Sequence, residues 1–206
     1  METTVAARVH LLVFEGCDLL DVGGPYEVLL TAQRLAARKG LPEPCTVEVV
    51  AHEDAPVTAY GGLGLVPSAA VEDDLDVLVV PGTIDVATAL ADEALLATVA
   101  DLAGRARLVT SVCTGSFLLA AAGLVRDRAV TTHHEDLDEL AARADVGEVV
   151  ADVRWVDSGE VITGAGLSSG LALGLHLVER LADRELAVAT AAQIEHPWDP
   201  DGGVSR

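Results

Sequence analysis

Residues 107–125, RLVTSVCTGSFLLAAAGLV, change character in the middle. Leu108 to Val112 are mostly β-branched or apolar, as a buried strand requires. Ser116 to Leu124 are nearly all apolar and mostly good helix formers. Cys113 sits at the joint, followed by Thr114 and Gly115. A thiol there meets the positive end of a helix dipole and N–H groups with no intrahelical partner. Both favour thiolate, the nucleophilic form. Val112-Cys113-Thr114-Gly115-Ser116 therefore reads as a nucleophile elbow, a sharp strand-to-helix turn that pushes its side chain outward. Gly115 and Ser116 allow the close backbone approach such a turn needs. The competing reading is a structural cysteine, since free cysteine is among the most buried residue types. The elbow reading predicts a reactive thiol of low pKa that oxidises readily.

Outward from the elbow, strand and helix patterns alternate. Strands are expected at residues 8–14, 46–52, 75–82, 108–112 and 128–134, and hairpins at 57–68 and 151–166. Helices are expected at 25–39 with a stop at Gly40, 86–103, 116–124, 135–144 and 168–182, with another capped by Asp183 and running to about 196. The continuous apolar run before Gly82 is typical of strands buried on both faces of a parallel sheet. The predicted fold is α/β: a doubly wound, mostly parallel sheet with helices on both faces. Residues 1–196 read as one domain and 197–206 as a flexible tail.

The 206 residues are 50% hydrophobic but only 3% aromatic, so the core is built of Ala, Leu and Val. A formal net charge of -20 argues against nucleic acid and anionic membranes as partners. Residues 1–8 show no leader pattern, and no apolar run reaches membrane-spanning length. Cys17, Cys45 and Cys113 make an odd count without C-x-x-C spacing, so a reducing cytoplasm is expected. His10, His52 and His176 are scattered without metal-ligand spacing, and no metal is expected. Glu72, Asp73, Asp74 and Asp76 read as a solvated acidic face.

In α/β sheets of this kind, ligands bind beyond the carboxyl ends of the strands. Three further stretches fall there. Asp21 follows the first strand and its loop and precedes Gly23-Gly24-Pro25; it is either a helix cap or an acid facing the thiol. Gly82, in VVPGT, ends a buried strand; it is either a plain turn or a backbone donor to developing negative charge. Thr131-Thr132-His133-His134 closes another strand, where one histidine can reach the site. Gly164–Gly170, GAGLSSG, lacks the lysine of a phosphate loop and reads as a tight turn packed on the elbow.

Together these stretches resemble the ThiJ/PfpI superfamily, of class I glutamine amidotransferase-like (flavodoxin-like) fold. The resemblance is carried by LLDVGGPYEVL, VLVVPGT, VTSVCTGSFLLAAAGLV, RAVTTHH and VITGAGLSSGLALGLHLVERLA. The nearest branch holds isonitrile hydratase and the amidotransferase-like sensor domains of AraC-type regulators. The resemblance implies Cys113 as nucleophile, Asp21 as the acid facing it, and Thr114 as the residue that positions water or acid. Gly82 and Thr114 are implied as backbone donors, and Thr83, His133 and Gly23 as pocket residues. It implies no cofactor, a small-molecule substrate and a homodimer. The sequence departs from the family pattern at Thr83, where a second glycine is common, and at His134, where the hydratase branch carries Trp. Thr114 stands where peptidase members carry His, so proteolysis is not expected; the chain ends at Arg206, too early for a DNA-binding domain. Three activities follow from the resemblance: hydration of an isonitrile, ligand or redox sensing without catalysis, and glyoxalase or deglycase chemistry with His133 as base.

Overall fold

The computed structural model describes residues 6–53, 55–71 and 73–206. Residues 1–5 of the leader reading and Glu72 of the acidic face lie outside them. In chain order the elements are β1 (Ala7–Val13), α1 (Leu19–Lys39), β2 (Cys45–Ala51), β3 (Val57–Thr58), β4 (Gly64–Leu65), β5 (Val77–Val80) and α2 (Val86–Ala91). There follow α3 (Glu93–Arg105), β6 (Leu108–Ser111), α4 (Gly115–Ala121), β7 (Ala129–Val130), α5 (Leu137–Ala141) and β8 (Glu148–Val149). The last are β9 (Trp155–Asp157), β10 (Val161–Gly164), α6 (Ser169–Leu181), α7 (Arg184–Gln193) and β11 (Val204–Ser205).

The main sheet has seven strands in the order β11-β9-β10-β6-β5-β1-β2. From β2 to β10 every pairing is parallel, and β9 turns back antiparallel on β10. Strand order reverses between β1 and β5: β1 leads outward to β2, and β5 leads the other way to β6. Right-handed crossovers in opposite directions place their helices on opposite faces. Accordingly α1, α6 and α7 pack together as one layer, and α2, α3 and α4 as another. The two loops that diverge at the reversal, after β1 and after β5, open the crevice where such folds bind ligands.

All residues of β5, β6 and β10 are buried, which accounts for the unbroken apolar run of β5 and the mainly apolar or β-branched residues of the other two. The α1–α6 contact depends on small residues: a Cβ on Gly174 would stand 3.0 Å from Cβ of Val28 and 3.2 Å from Cα of Pro25.

Several expectations are corrected. Helix α1 begins at Leu19, six residues before Pro25, which lies inside it. Proline removes one i→i−4 bond, the one Asp21 carbonyl would accept, and packing of α1 against α6 compensates. The expected helix 86–103 is two helices, because the Asp92 side chain accepts from Leu95 N at 2.9 Å and caps α3. The strand expected at 128–134 shrinks to β7, which leaves the main sheet to pair with β8. The tail expected to be flexible carries β11, which pairs in parallel with β9 and closes the sheet edge. Asp74 and Asp76 are not merely solvated: Arg8 pairs with both, and Arg107 with Asp76.

Candidate active site

Four loops at the carboxyl ends of β1, β5, β6 and β10 converge on Cys113. Its backbone has φ 55°, a left-handed conformation that a residue with a Cβ rarely adopts. Such strain persists only where the surroundings fix it. Here Cys113 N donates to Ala165 O at 3.0 Å, and Thr132 Oγ1 donates to Cys113 O at 3.0 Å. The turn also requires Gly115, whose Cβ would run into the backbone of Val80 and Pro81. The elbow expected from residues 112–116 is present, and GAGLSSG packs on it as expected.

Asp21 lies on the first turn of α1 and is fully buried. It is not the cap; Asp18 holds that position, without a side-chain cap bond. Asp21 Oδ2 accepts from Gly82 N at 2.9 Å, and Oδ1 has no partner. Burial pushes the carboxyl up to about 7, against the pull of the Gly82 N–H. Asp18, whose own carboxyl is raised by burial, has a second buried oxygen without a partner. Sequence reasoning missed Asp18; an acid before an apolar helix start was its only signal.

Burial works against the low-pKa thiol expected from the elbow. Burial, reinforced by the negative charge of Asp21, pushes Cys113 up to about 12. The Thr114 and Leu167 N–H groups face the sulfur and oppose this. The α4 helix has only seven residues, and Cys113 precedes its cap, so the dipole does little. The thiol is 4% exposed and forms no hydrogen bond to Asp21. Acid and thiol interact through space, by charge rather than by a hydrogen bond.

Two roles implied by the resemblance are also corrected. The Gly82 N–H is taken by Asp21, so it is an anchor for the acid and not a free donor. Gly82 has no room for a side chain: a Cβ would stand 2.5 Å from Thr114 Oγ1, 2.7 Å from Thr114 N and 2.9 Å from Asp21 Oδ2. The Thr114 hydroxyl is likewise engaged, donating to Thr83 O at 2.7 Å and accepting from Thr83 N at 2.8 Å. Thr114 therefore pins the loop after β5 to the elbow, and only its N–H faces the sulfur. The donor that sequence reasoning missed is Leu167 N.

Thr83 donates through Oγ1 to Gly16 O at 2.9 Å and braces the loop after β1. His133 lines a cavity of about 510 Å³ beside the elbow, together with Thr132, Ala165 and Leu167. Gly23 is half-buried on α1 with open space around its Cβ position. At the cavity mouth His133, His134 and Glu135 each offer one ligand atom, all within 4.8 Å of one another. That cluster, two donors of which are exposed, went unweighed in the sequence. Cys17 and Cys45 are buried, free and raised by burial. No described helix is long and apolar enough to cross a membrane.

With this geometry in view, comparison with known proteins is direct. The chain is 35% identical over 198 residues to the isonitrile hydratase of Pseudomonas putida, covering 95% of this chain and 81% of that one. Among solved structures it superposes with a TM-score of 0.81 on a ThiJ/PfpI family protein from Pseudomonas syringae, at 32% identity over 97% of this chain and 78% of the other. An AraC family transcriptional regulator from Pseudomonas putida shares the fold, with a TM-score of 0.69 at 22% identity over 91% of this chain and 99% of the other. The model of the DJ-1/PfpI family matches residues 7–180, and the chain belongs to that family.

Proposed function

We propose that the protein is a cysteine-dependent lyase that hydrates an isonitrile to an N-substituted formamide. The observation that carries this reading is the pairing of Cys113, strained at φ 55°, with a buried carboxyl whose Oδ1 is unpartnered and whose pKa lies near 7. Such an acid is populated in both protonation states at neutral pH, as a proton shuttle requires. The similarity to an isonitrile hydratase supports the choice of substrate.

The steps use side chains and water alone. Protonated Asp21 delivers its proton to the terminal carbon of R–N≡C, which becomes electrophilic. The Cys113 sulfur bonds to that carbon, and the thiol proton passes to Asp21, giving the thioimidate R–N=CH–S–Cys. A thiol held near pKa 12 suits this order, because it loses its proton only as the carbon–sulfur bond forms. Asp21 then protonates the imine nitrogen and takes a proton from water as its oxygen adds to the carbon. The carbon–sulfur bond breaks, the hydroxyl proton returns through Asp21 to sulfur, and R–NH–CHO leaves. The Thr114 and Leu167 N–H groups steady the sulfur while it carries charge.

A redox sensor calls for a thiolate at neutral pH, which the burial of Cys113 opposes. The active unit is read as a homodimer. The segment around β3 and β4 and the loop after β5 expose the apolar side chains Tyr60, Leu63, Val66 and Ile84 at 62%, 53%, 73% and 61%, which a second copy of this chain would cover.

The test is formamide production from cyclohexyl isocyanide by wild type, Cys113→Ala and Asp21→Asn, with methylglyoxal as competing substrate. Hydration lost in both variants supports the reading. Methylglyoxal consumption without hydration overturns it in favour of glyoxalase chemistry.

A further inference from the structure

Three residues that line the cavity beside the elbow contact Cys113, which lies behind its wall. Ala165 accepts the Cys113 N–H, Thr132 donates to the Cys113 carbonyl, and Leu167 offers its N–H to the sulfur. At about 510 Å³ it has the size of a small-molecule site. Its polar wall is unusual for this chain. Acids outnumber Lys and Arg by 33 to 13 overall, yet the wall presents Arg154, which forms no ion pair among the described residues.

Arg154 is anchored through its backbone and oriented by one side-chain bond. Its backbone N donates to Gly202 O at 2.8 Å, and its carbonyl accepts from Ala165 N at 3.0 Å. Ala165 is also the residue that receives the Cys113 N–H, so one peptide separates the cation's anchor from the elbow's anchor. The guanidinium donates through Nη2 to Ser168 Oγ at 3.0 Å, which orients it and leaves its remaining N–H groups to other acceptors. Next to it Ser169 lines the same cavity, 1% exposed, with a hydroxyl that has no hydrogen-bond partner. Buried hydroxyls are rarely left unpaired, and such exceptions ask for a missing partner.

We propose that Arg154, with Ser168 and Ser169, forms a carboxylate subsite, and that the substrate turned over at Cys113 is an isonitrile bearing a carboxylate. The proposal rests on the reading of Cys113 as the nucleophile for the substrate's reacting end, but not for the anion's binding. A guanidinium fork matches a carboxylate in shape and charge. The overall negative charge does not cancel this, because remote surface charges are screened beyond about 8 Å at physiological salt, while a contact pair is not. Asp152, on the same wall with φ 59°, opposes an anion and sets a limit on affinity.

Two measurements on the full chain test it. The first compares alkylation of Cys113 by iodoacetate and by neutral iodoacetamide. In each the sulfur bonds to the methylene carbon, iodide leaves and the thiol proton goes to solvent, so the reagents differ in charge at the far end. The iodoacetate-to-iodoacetamide rate ratio should fall about tenfold in Arg154→Gln, recover in Arg154→Lys and rise in Asp152→Asn. A ratio unmoved by Arg154→Gln overturns the subsite. The second is fluorine NMR of trifluoroacetate titrated with protein, which needs no reactive thiol. Line broadening should persist in Cys113→Ala and weaken about tenfold in Arg154→Gln. Equal broadening in wild type and Arg154→Gln, or none in either, overturns the proposal. If Cys113 alkylates with neither reagent, the nucleophile reading fails, and the trifluoroacetate titration still decides the subsite. Arg154 is solvent-exposed, so its variants are expected to fold, and circular dichroism spectra matching wild type are the control for that.

Discussion

Thr114 Oγ1 sits between two backbone atoms of Thr83, donating to its carbonyl at 2.7 Å and accepting from its N–H at 2.8 Å. One hydroxyl thus stitches the loop after β5 to the elbow after β6, and both ends of the stitch are buried. The loop it fixes carries Gly82, whose N–H holds Asp21. Thr114 therefore acts on the acid through two intervening contacts, without touching it.

Replacing Thr114 by Val keeps the shape and strands the Thr83 N–H and carbonyl without partners. The loss expected is about 2–4 kcal/mol, the cost of two unsatisfied buried groups. For a chain of this size that lowers the melting midpoint by roughly 5–15 °C. Thr114→Ser keeps the hydroxyl and should retain most of the stability. Differential scanning calorimetry of the two variants is the check; equal melting temperatures would show that the stitch does not matter.

Asp21 makes stability depend on pH. Its folded-state pKa of about 7 stands above the ordinary 3.8, so the folded protein binds the proton more tightly than the unfolded chain. Below about pH 4 both states are protonated and nothing is lost. Stability then falls as pH rises from about 4 to 7, and the penalty is constant above that. Asp21→Asn, which cannot ionise, should leave stability unchanged near pH 4 and raise it by about 1–3 kcal/mol at pH 8. Urea midpoints measured across that range test it. A variant less stable than wild type at pH 8 would contradict the buried-acid reading.

Burial of the thiol gives a second pH signature. Alkylation of Cys113 by iodoacetamide should be slow at pH 7 and climb steadily past pH 9, since its pKa lies near 12. Mass mapping of the modified cysteine against pH decides this. A plateau below pH 8 would restore the low-pKa thiol expected from the elbow alone.

The exposed apolar face at Tyr60, Leu63, Val66 and Ile84 should be covered in solution by a second copy. A standard interface buries about 1,600 Å² in total. Analytical ultracentrifugation at micromolar concentration should give a dimer that Val66→Glu dissociates. A monomer at all concentrations would remove the dimer and leave the site untouched, because Cys113, Asp21 and Gly82 belong to one chain.

The sheet was legible because its signal is local: β5 is an unbroken apolar run, β6 is apolar or β-branched up to Thr110, and the glycine-bearing elbow follows a strand. The start of α1 was not, because Gly23, Gly24 and Pro25 are poor helix residues kept helical by packing against α6. The tail was misread because Val204 and Ser205 gain their strand only by pairing with β9, some fifty residues away. At the site, the positions of Cys113, Asp21, Thr114 and Gly82 were readable from strand ends. Their bonding was not, because sequence does not show that the Gly82 N–H is taken by Asp21 or the Thr114 hydroxyl by Thr83. Nor does an elbow motif reveal how deeply its thiol is buried, and burial reversed the direction of the Cys113 shift.

The central claim is a covalent thioimidate on Cys113 that Asp21 helps to form and to hydrolyse. Intact-protein mass spectrometry of samples quenched during reaction with cyclohexyl isocyanide tests it most directly. The protein should gain the mass of one isonitrile, located on Cys113 by peptide mapping and absent in Cys113→Ala. Formamide production with no adduct at any time point, and continuing in Cys113→Ala, would show that the thiol is not the nucleophile.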